Sequence, residues 1–145
     1  MQVSPKAYKI WKVLFKRPNE WISMTTLSCD VNMSNRQISS VIQTMNCPNI
    51  VKSEATGNQE QEVMLKVTDE EFRALWNEVM RTYHGIDDTV LSNIRATLSP
   101  VGWTSAKDIS LMTGYRGFKV YVAISLMDDV ISKNYRSSKM YMLCT

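Results

Sequence analysis

Histidine and cysteine are scarce in this chain, and their scarcity argues against a metal centre. A zinc site takes about four ligands, mostly Cys and His, yet the 145 residues include one histidine, His84, and three cysteines. The cysteines lie far apart and form no Cys-x-x-Cys pair. We therefore expect no metal and no cofactor, and we expect Cys29, Cys47 and Cys144 to be reduced thiols of a cytosolic protein.

Long apolar runs are also missing. Segment 120–124 is among the longest, whereas a membrane helix needs about 20 predominantly apolar residues. Residues 1–6 lead into a charged amphipathic stretch and lack the apolar core of a signal peptide. The sequence therefore predicts a soluble chain with no membrane partner. We expect it in the cytoplasm or, for a DNA-binding protein, in the nucleoid or nucleus.

Motifs for catalysis are absent as well. The chain has neither a glycine-rich phosphate-binding loop nor a Ser/His/Asp set. His84 stands alone at a predicted helix end, where a structural role is expected. The adjacent pairs Asp87-Asp88 and Asp128-Asp129 fall at predicted turns, where they are expected to cap helices. The sequence therefore predicts a protein that is not an enzyme.

An internal repeat organises the sequence. Residues 21–27 resemble residues 103–109 at an offset of 82, and apolar positions continue to agree toward the end of each copy. After a small slip, Val63–Thr68 matches Met140–Thr145. The pattern predicts two copies of one module.

The net charge differs between the two repeats and the segment that joins them. Residues 1–68 carry a net charge of +3, residues 69–89 carry −4 and residues 90–145 carry +4, although the whole chain carries only +3. We therefore predict a first module at 1–68, a linker helix at 69–89 and a second module at 90–145. The linker helix is expected to pack on one module or to pair with its copy in a homodimer.

Each copy shows a helix, a short helix, a turn, a third helix and then a hairpin. In the first copy, apolar residues at helical spacing run over Lys6–Lys16, and Ser34–Gln37 forms a capping box for the third helix. Period-two segments on either side of Thr56-Gly57-Asn58 predict the hairpin. This order resembles the winged helix-turn-helix superfamily. The expected fold is mainly α with short β-hairpins (α+β), as tandem winged helix-turn-helix modules joined by a linker helix.

The resemblance implies that the third helix enters the major groove of DNA. At 100° per residue, its outward face in the first copy is entirely polar, and Asn, Gln and Arg can make paired hydrogen bonds with base edges. The candidate base-reading residues are Asn35, Arg36, Gln37, Ser39, Ser40 and Gln43.

Basic side chains elsewhere are candidates for phosphate contacts. Lysines recur at three- or four-residue spacing along the first helix, opposite its apolar side, where they could follow a phosphate backbone. Arg136 and Lys139 are further candidates at the second hairpin, and Asn58 at the first. Glu60 and Glu62 argue against deep insertion of the first hairpin. The candidate phosphate-binding residues are Lys6, Lys9, Lys12, Lys16, Arg17, Lys52, Arg116 and Lys119.

The third helix of the second copy has a different outward face. Its predicted exposed positions include apolar residues, a composition typical of contact surfaces. The alternative is that this face is buried within the chain. The candidate interface residues are Phe118, Tyr121, Val122 and Leu126 in the second copy, and Phe72 and Trp76 in the linker helix.

Together these features predict a sequence-specific double-stranded DNA-binding protein that acts as a transcriptional regulator, as a homodimer through the linker helix or the second module. The principal alternative is a protein–protein adaptor. Tandem winged-helix units also resemble parts of bacterial chromosome-segregation and eukaryotic membrane-sorting complexes, in which they bind proteins. A replication initiator or small viral DNA-binding factor is a third hypothesis.

Overall fold

The chain divides into two units, Met1–Tyr83 and His84–Thr145. The structure, a computed structural model, describes residues 1–54, 57 and 59–144. These residues form seven helices and two antiparallel three-stranded sheets. The predicted α+β class is therefore confirmed.

A serine and a proline begin the first helix of unit 1. In α1 (Pro5–Lys16) the Ser4 hydroxyl accepts a hydrogen bond from the Ala7 amide at 3.1 Å. Pro5 stands at the first helical position, where its missing N–H would have no intrahelical partner. Apolar side chains at helical spacing face the core, and Leu14 is fully buried. The lysines of α1 therefore lie on its exposed side.

Two further helices follow a short strand. They are α2 (Met24–Val31) and α3 (Asn35–Met45), and the strand is β1 (Ile22–Ser23). Each helix ends at an asparagine with a left-handed backbone, Asn32 at φ 53° and Asn46 at φ 48°. Asparagine enters this region more readily than most residues because its short polar side chain bonds locally. The two asparagines therefore end the helices and turn the chain.

The last strand of unit 1 is the centre of its sheet. β2 (Ile50–Lys52) and β3 (Glu62–Leu65) form the hairpin, and β3 also pairs with β1, so that the strand order is β1-β3-β2. Val63 and Leu65 alternate along β3 and are fully buried. The hairpin thus lies against the same core as the helices.

Asn19 ties the end of α1 to the end of β3. Its amide N–H donates to the Leu65 carbonyl at 2.8 Å. Its side chain donates to the Val67 carbonyl and accepts from the Val67 amide, both at 2.9 Å. With φ 61°, Asn19 is also in the left-handed region. One asparagine therefore satisfies three backbone groups where the first helix meets the sheet.

The fourth helix, expected to connect the two repeats, packs on unit 1. α4 (Asp69–His84) starts at a reciprocal cap in which the Thr68 amide donates to Glu71 at 3.0 Å and the Glu71 amide donates to Thr68 at 3.2 Å. Val79 is fully buried in the core of unit 1. The apolar residues partly buried beside it are Phe72, Leu75, Trp76 and Met80.

Unit 2 repeats the element order of unit 1. Its central strand again pairs on both sides, in the order β4-β6-β5. The short strand and the two helices that follow it lie at the predicted offset of 82 residues. The elements are α5 (Asp88–Arg95), β4 (Thr104–Ser105), α6 (Ala106–Thr113), α7 (Gly117–Ser125), β5 (Val130–Tyr135) and β6 (Ser138–Leu143).

The sequence repeat aligned the central strand of unit 2 with that of unit 1 incorrectly, by one residue. The repeat matched Val63 with Met140, but the sheets pair Ile22 with Val63 and Thr104 with Tyr141. Val63 therefore corresponds to Tyr141, and both are buried. Because side chains alternate across a strand, a shift of one residue exchanges buried and exposed positions.

The second hairpin is longer than the first. β5 and β6 each have six residues, and Arg136 stands between them with φ 56°. Residues 131–139 are all exposed.

None of the helices in the described part of the chain is long and apolar enough to cross a membrane.

We expect Ser34→Ala to lower the free energy of unfolding by about 0.5–2 kcal/mol, because the substitution removes the cap of α3. Urea denaturation of the full chain, followed by circular dichroism, measures the change. Ser40→Ala is the matched control, since Ser40 is an exposed serine in the interior of the same helix. Equal effects of the two substitutions would contradict the role of the cap.

Candidate nucleic-acid interface

The start of α3 is held by the predicted capping box. The Gln37 amide donates to the Ser34 hydroxyl at 3.2 Å, and the Ser34 amide donates to Gln37 Oε1 at 3.0 Å. A paired contact with adenine uses both the oxygen and the nitrogen of an amide side chain. Gln37 can therefore make such a contact only if its oxygen leaves the cap.

The outer face of α3 carries most of the predicted base-reading residues in exposed positions. Its inner face is anchored by Ile38 and Ile42, which are buried. Ser39 is half-buried, so its hydroxyl is less accessible than the sequence predicted. The exposed members of the set are Asn35, Arg36, Gln37, Ser40 and Gln43.

The structure brings one of the predicted phosphate-binding lysines to this face. A groove of about 320 Å³ is lined by Lys6 at the start of α1 and by the N-terminal turns of α3, including Arg36 and Ser40. A second groove of about 510 Å³ separates residues 1–4 from the later turns of α3, at Thr44 and Met45. The N-terminal segment and the start of α1 therefore border α3 on the side that carries Ser40 and Val41.

Charges around the groove are of one sign. Neither α1 nor α3 contains Asp or Glu. Lys9 and Lys16 are exposed along α1, and Lys12 is exposed with its ammonium group 5.1 Å from the centre of the Tyr8 ring. Arg17 lies 3.5 Å from Glu20, an exposed pair in which the carboxylate offsets its charge. The free positive charge is therefore concentrated on α1 and at Arg36.

The structure describes one of the two candidate contact residues at the first hairpin. Lys52 is exposed at the end of β2. The predicted turn residues Thr56 and Asn58 lie outside the described residues. Lys52 therefore remains a candidate for a phosphate contact at this hairpin.

Sequence reasoning missed the role of Glu60. Its carboxylate accepts hydrogen bonds from both the amide and the hydroxyl of Thr25, in the first turn of α2. A carboxylate at this position complements the positive end of the helix and satisfies a free amide. The two residues are 35 positions apart, so no local pattern could indicate the contact.

The corresponding helix of unit 2 starts without a side-chain cap. Arg116 occupies the capping position of α7 but makes no capping hydrogen bond. Arg116 is exposed, and the ammonium group of half-buried Lys119 lies 5.1 Å from the centre of the Tyr115 ring. Arg116 and Lys119, two of the predicted phosphate-binding residues of unit 2, thus stand at the start of α7.

The predicted outward face of α7 needs one correction. Phe118 and Tyr121 are exposed, with 62% and 53% of their surface accessible. Val122 was expected beside them but is 5% exposed, because it lies on the inner side of the helix next to Ala123. Leu126 follows the end of α7 and is half-buried.

The two interface residues predicted on α4 are partly covered by other residues of the same unit. Phe72 and Trp76 are half-buried and pack against the core of unit 1. The ring of Phe72 meets that of Phe15 edge to face, with centroids 5.5 Å apart. Part of the apolar surface assigned to a partner therefore lies inside unit 1.

Metal ligands do not come together among the described residues. No group of three or more His, Cys, Asp or Glu side chains there could hold an ion. Cys29, Cys47 and Cys144 are free thiols, of which Cys29 and Cys144 are exposed.

We expect Val122→Ala to lower the free energy of unfolding by about 1–3 kcal/mol, because it leaves a cavity behind α7. Phe118→Ala on the same helix should change it by less than about 0.5 kcal/mol, since its ring is mostly exposed. Urea denaturation of the full chain compares the two variants. A larger loss for Phe118→Ala than for Val122→Ala would contradict this assignment of inner and outer faces.

Comparison with protein-family models and with curated proteins gives no match. Among solved structures, the chain is similar to the DIP2311 protein from Corynebacterium diphtheriae, with 18% identity and a TM-score of 0.34. The match covers 94% of this chain and 26% of that protein, so the chain spans about a quarter of its length. A likeness at this level establishes neither a shared fold nor a shared function.

Proposed function

We propose that the protein is a sequence-specific double-stranded DNA-binding protein, built from two winged helix-turn-helix units, that acts as a transcriptional regulator. The observation that carries the proposal is the outer face of α3. It is polar and free of carboxylates, and it borders a groove in which Lys6 and Arg36 both take part. This combination suits an anionic ligand that also offers hydrogen-bonding groups.

The order of elements supports the winged-helix part of the proposal. In both units a helix, a short strand and two helices precede a hairpin, and the short strand joins that hairpin in one sheet. In helix-turn-helix proteins the second helix of the motif lies in the major groove, and its N-terminal residues contact base edges. Here that helix is α3, and Arg36 stands in its first turn.

Four residues of the face would each have a role in this mode of binding. Arg36 would donate two hydrogen bonds to guanine, while Asn35 and Gln43 have side-chain amides that can pair with adenine. Ser40 would contact either type of base edge. Lys6 and Lys9 would neutralise phosphates beside the groove and so position α3 without reading sequence.

The protein-adaptor alternative is favoured by one observation on unit 2. Leu111 and Met112 on α6 are exposed by 72% and 59%, and Phe118 and Tyr121 follow on α7. Exposed apolar patches often mark contact surfaces. Absence of duplex binding at low salt would favour the adaptor.

We expect Arg36→Ala to weaken binding to a selected duplex site by about 5- to 150-fold, which corresponds to about 1–3 kcal/mol. Fluorescence anisotropy with a labelled duplex, first selected from a random pool, measures the change. Arg73→Ala is the matched control, since Arg73 is an exposed arginine on α4 of the same unit. An unchanged affinity for Arg36→Ala would show that α3 does not read the site.

We expect Lys6→Gln to weaken binding to selected and random duplexes alike. It should reduce the slope of log affinity against log salt by about 1, because one phosphate contact is lost. The same titration of Lys66→Gln provides the comparison, since Lys66 is an exposed lysine just after β3. If Lys6→Gln and Lys66→Gln gave equal slopes, the groove beside α3 would not hold a phosphate.

A further inference from the structure

The second unit carries exposed aromatic rings where the first unit carries polar side chains. At the offset of the repeat, Phe118 stands at the position of Arg36, and Tyr121 at that of Ser39. Both rings are more than half exposed. An exposed phenyl ring cannot make the paired hydrogen bonds that read base edges in a duplex groove. The surface of α7 is therefore suited to a different ligand from that of α3.

The rings form a continuous group, which we call the aromatic strip: His84, Phe118 and Tyr121. The centroids of His84 and Phe118 are 5.1 Å apart in an edge-to-face arrangement. Those of Phe118 and Tyr121 are 6.4 Å apart with only 27° between the ring planes. Residues three apart on a helix are neighbours on its surface. The strip therefore offers adjacent aromatic rings along one side of α7.

Tyr121 continues the strip into a groove of about 290 Å³ beside the hairpin β5–β6. The groove is lined by Ser132 and Lys139 from the hairpin and by Tyr141 at its buried side. Burial raises the pKa of the Tyr141 hydroxyl, and the nearby Tyr121 hydroxyl raises it further. Tyrosine is protonated at neutral pH even at its ordinary pKa of about 10, so Tyr141 presents a neutral hydroxyl. The groove thus presents hydroxyl groups and one ammonium group next to aromatic rings.

α7 and the β5–β6 hairpin carry cations and no carboxylates, while Asp87 and Asp88 follow His84, and Asp128 and Asp129 lie between α7 and β5. Residues 109–127 and 130–144 contain no Asp or Glu. The hairpin carries two further ring–cation pairs, since Lys133 lies 4.4 Å from the centre of the Trp103 ring and Arg136 lies 5.4 Å from that of Tyr135, but Lys133 and Tyr135 stand on the face of β5 opposite to Ser132. Surfaces that bind single strands combine cations that follow the backbone with rings on which bases stack.

We propose that unit 2 binds single-stranded nucleic acid across α7 and β5–β6, with bases stacked on Phe118 and Tyr121 and phosphates paired with Arg116, Lys119 and Lys139. Stacking suits this surface because every base has an aromatic face, whatever its edge. A protein partner fits less well, since the core of a protein interface is depleted of lysine. The proposal shares no residue with the duplex-binding face of unit 1 and does not depend on it.

Fluorescence anisotropy of the full chain with labelled oligothymidylate and labelled oligouridylate tests the proposal at low and high salt. We expect binding that weakens as salt rises, and a loss of about 5- to 150-fold for Phe118→Ala and for Tyr121→Ala, which is about 1–3 kcal/mol per stacked base. Lys119→Gln should reduce the salt slope. The two oligonucleotides show whether DNA or RNA binds more tightly.

Conservative variants separate stacking from apolar contact. Phe118→Tyr keeps an aromatic ring and should retain affinity, whereas Phe118→Leu keeps an apolar side chain without a ring and should lose it. Val101→Ala is the matched control, because Val101 is an exposed apolar residue outside α6, α7 and the hairpin. Circular dichroism checks that each variant folds.

Two results would overturn the proposal: no binding of either oligonucleotide at low salt, or wild-type affinity for Phe118→Leu. The second would mean that the face serves a protein contact rather than stacking. Arg73→Ala, at an exposed arginine of α4 outside both proposed surfaces, is expected to leave single-strand affinity unchanged. Failure of duplex binding alone would leave this inference standing, and loss of single-strand binding alone would leave the duplex proposal standing.

Discussion

The pairing of a two-residue strand with the last strand of each unit is the constraint on which the rest of the fold depends. Ser23 pairs with Glu62 in the first sheet, and its hydroxyl also caps α2 by accepting from the Thr26 amide at 3.1 Å. Ser105 combines the same two roles in unit 2, with the Asp108 amide as donor. Because one residue ends the strand and starts the helix, the sheet determines where each helix pair begins.

This framework leaves the outer face of the third helix free to vary. Ile38 and Val120, at equivalent positions, are both fully buried, because each closes the core of its unit. Substitutions at the outer positions change the free energy of unfolding only slightly, because these positions are exposed. Arg36 and Phe118 can therefore occupy the same place on one framework, and the two units can present surfaces of different chemistry.

Local features were predictable from the sequence, and contacts between distant segments were not. The capping box at Ser34 was identified because it depends on residues three positions apart. The alignment of β6 was wrong by one residue, since apolar residues occur on both faces of that strand and the register is decided by pairing with β4. Glu60 was missed as a cap of α2 because its partner Thr25 is 35 residues away.

The sequence by itself determined the helices, the caps formed by residues three positions apart, the repeat and the division of charge, because each follows from the pattern along the chain. The tertiary structure decided which faces remain exposed. It buried Val122, packed α4 on the core of unit 1 and brought Lys6 into the groove with Arg36. Periodicity shows that a helix has two faces, but the neighbouring elements decide how much of each face they cover, and that depends on how the chain folds back on itself.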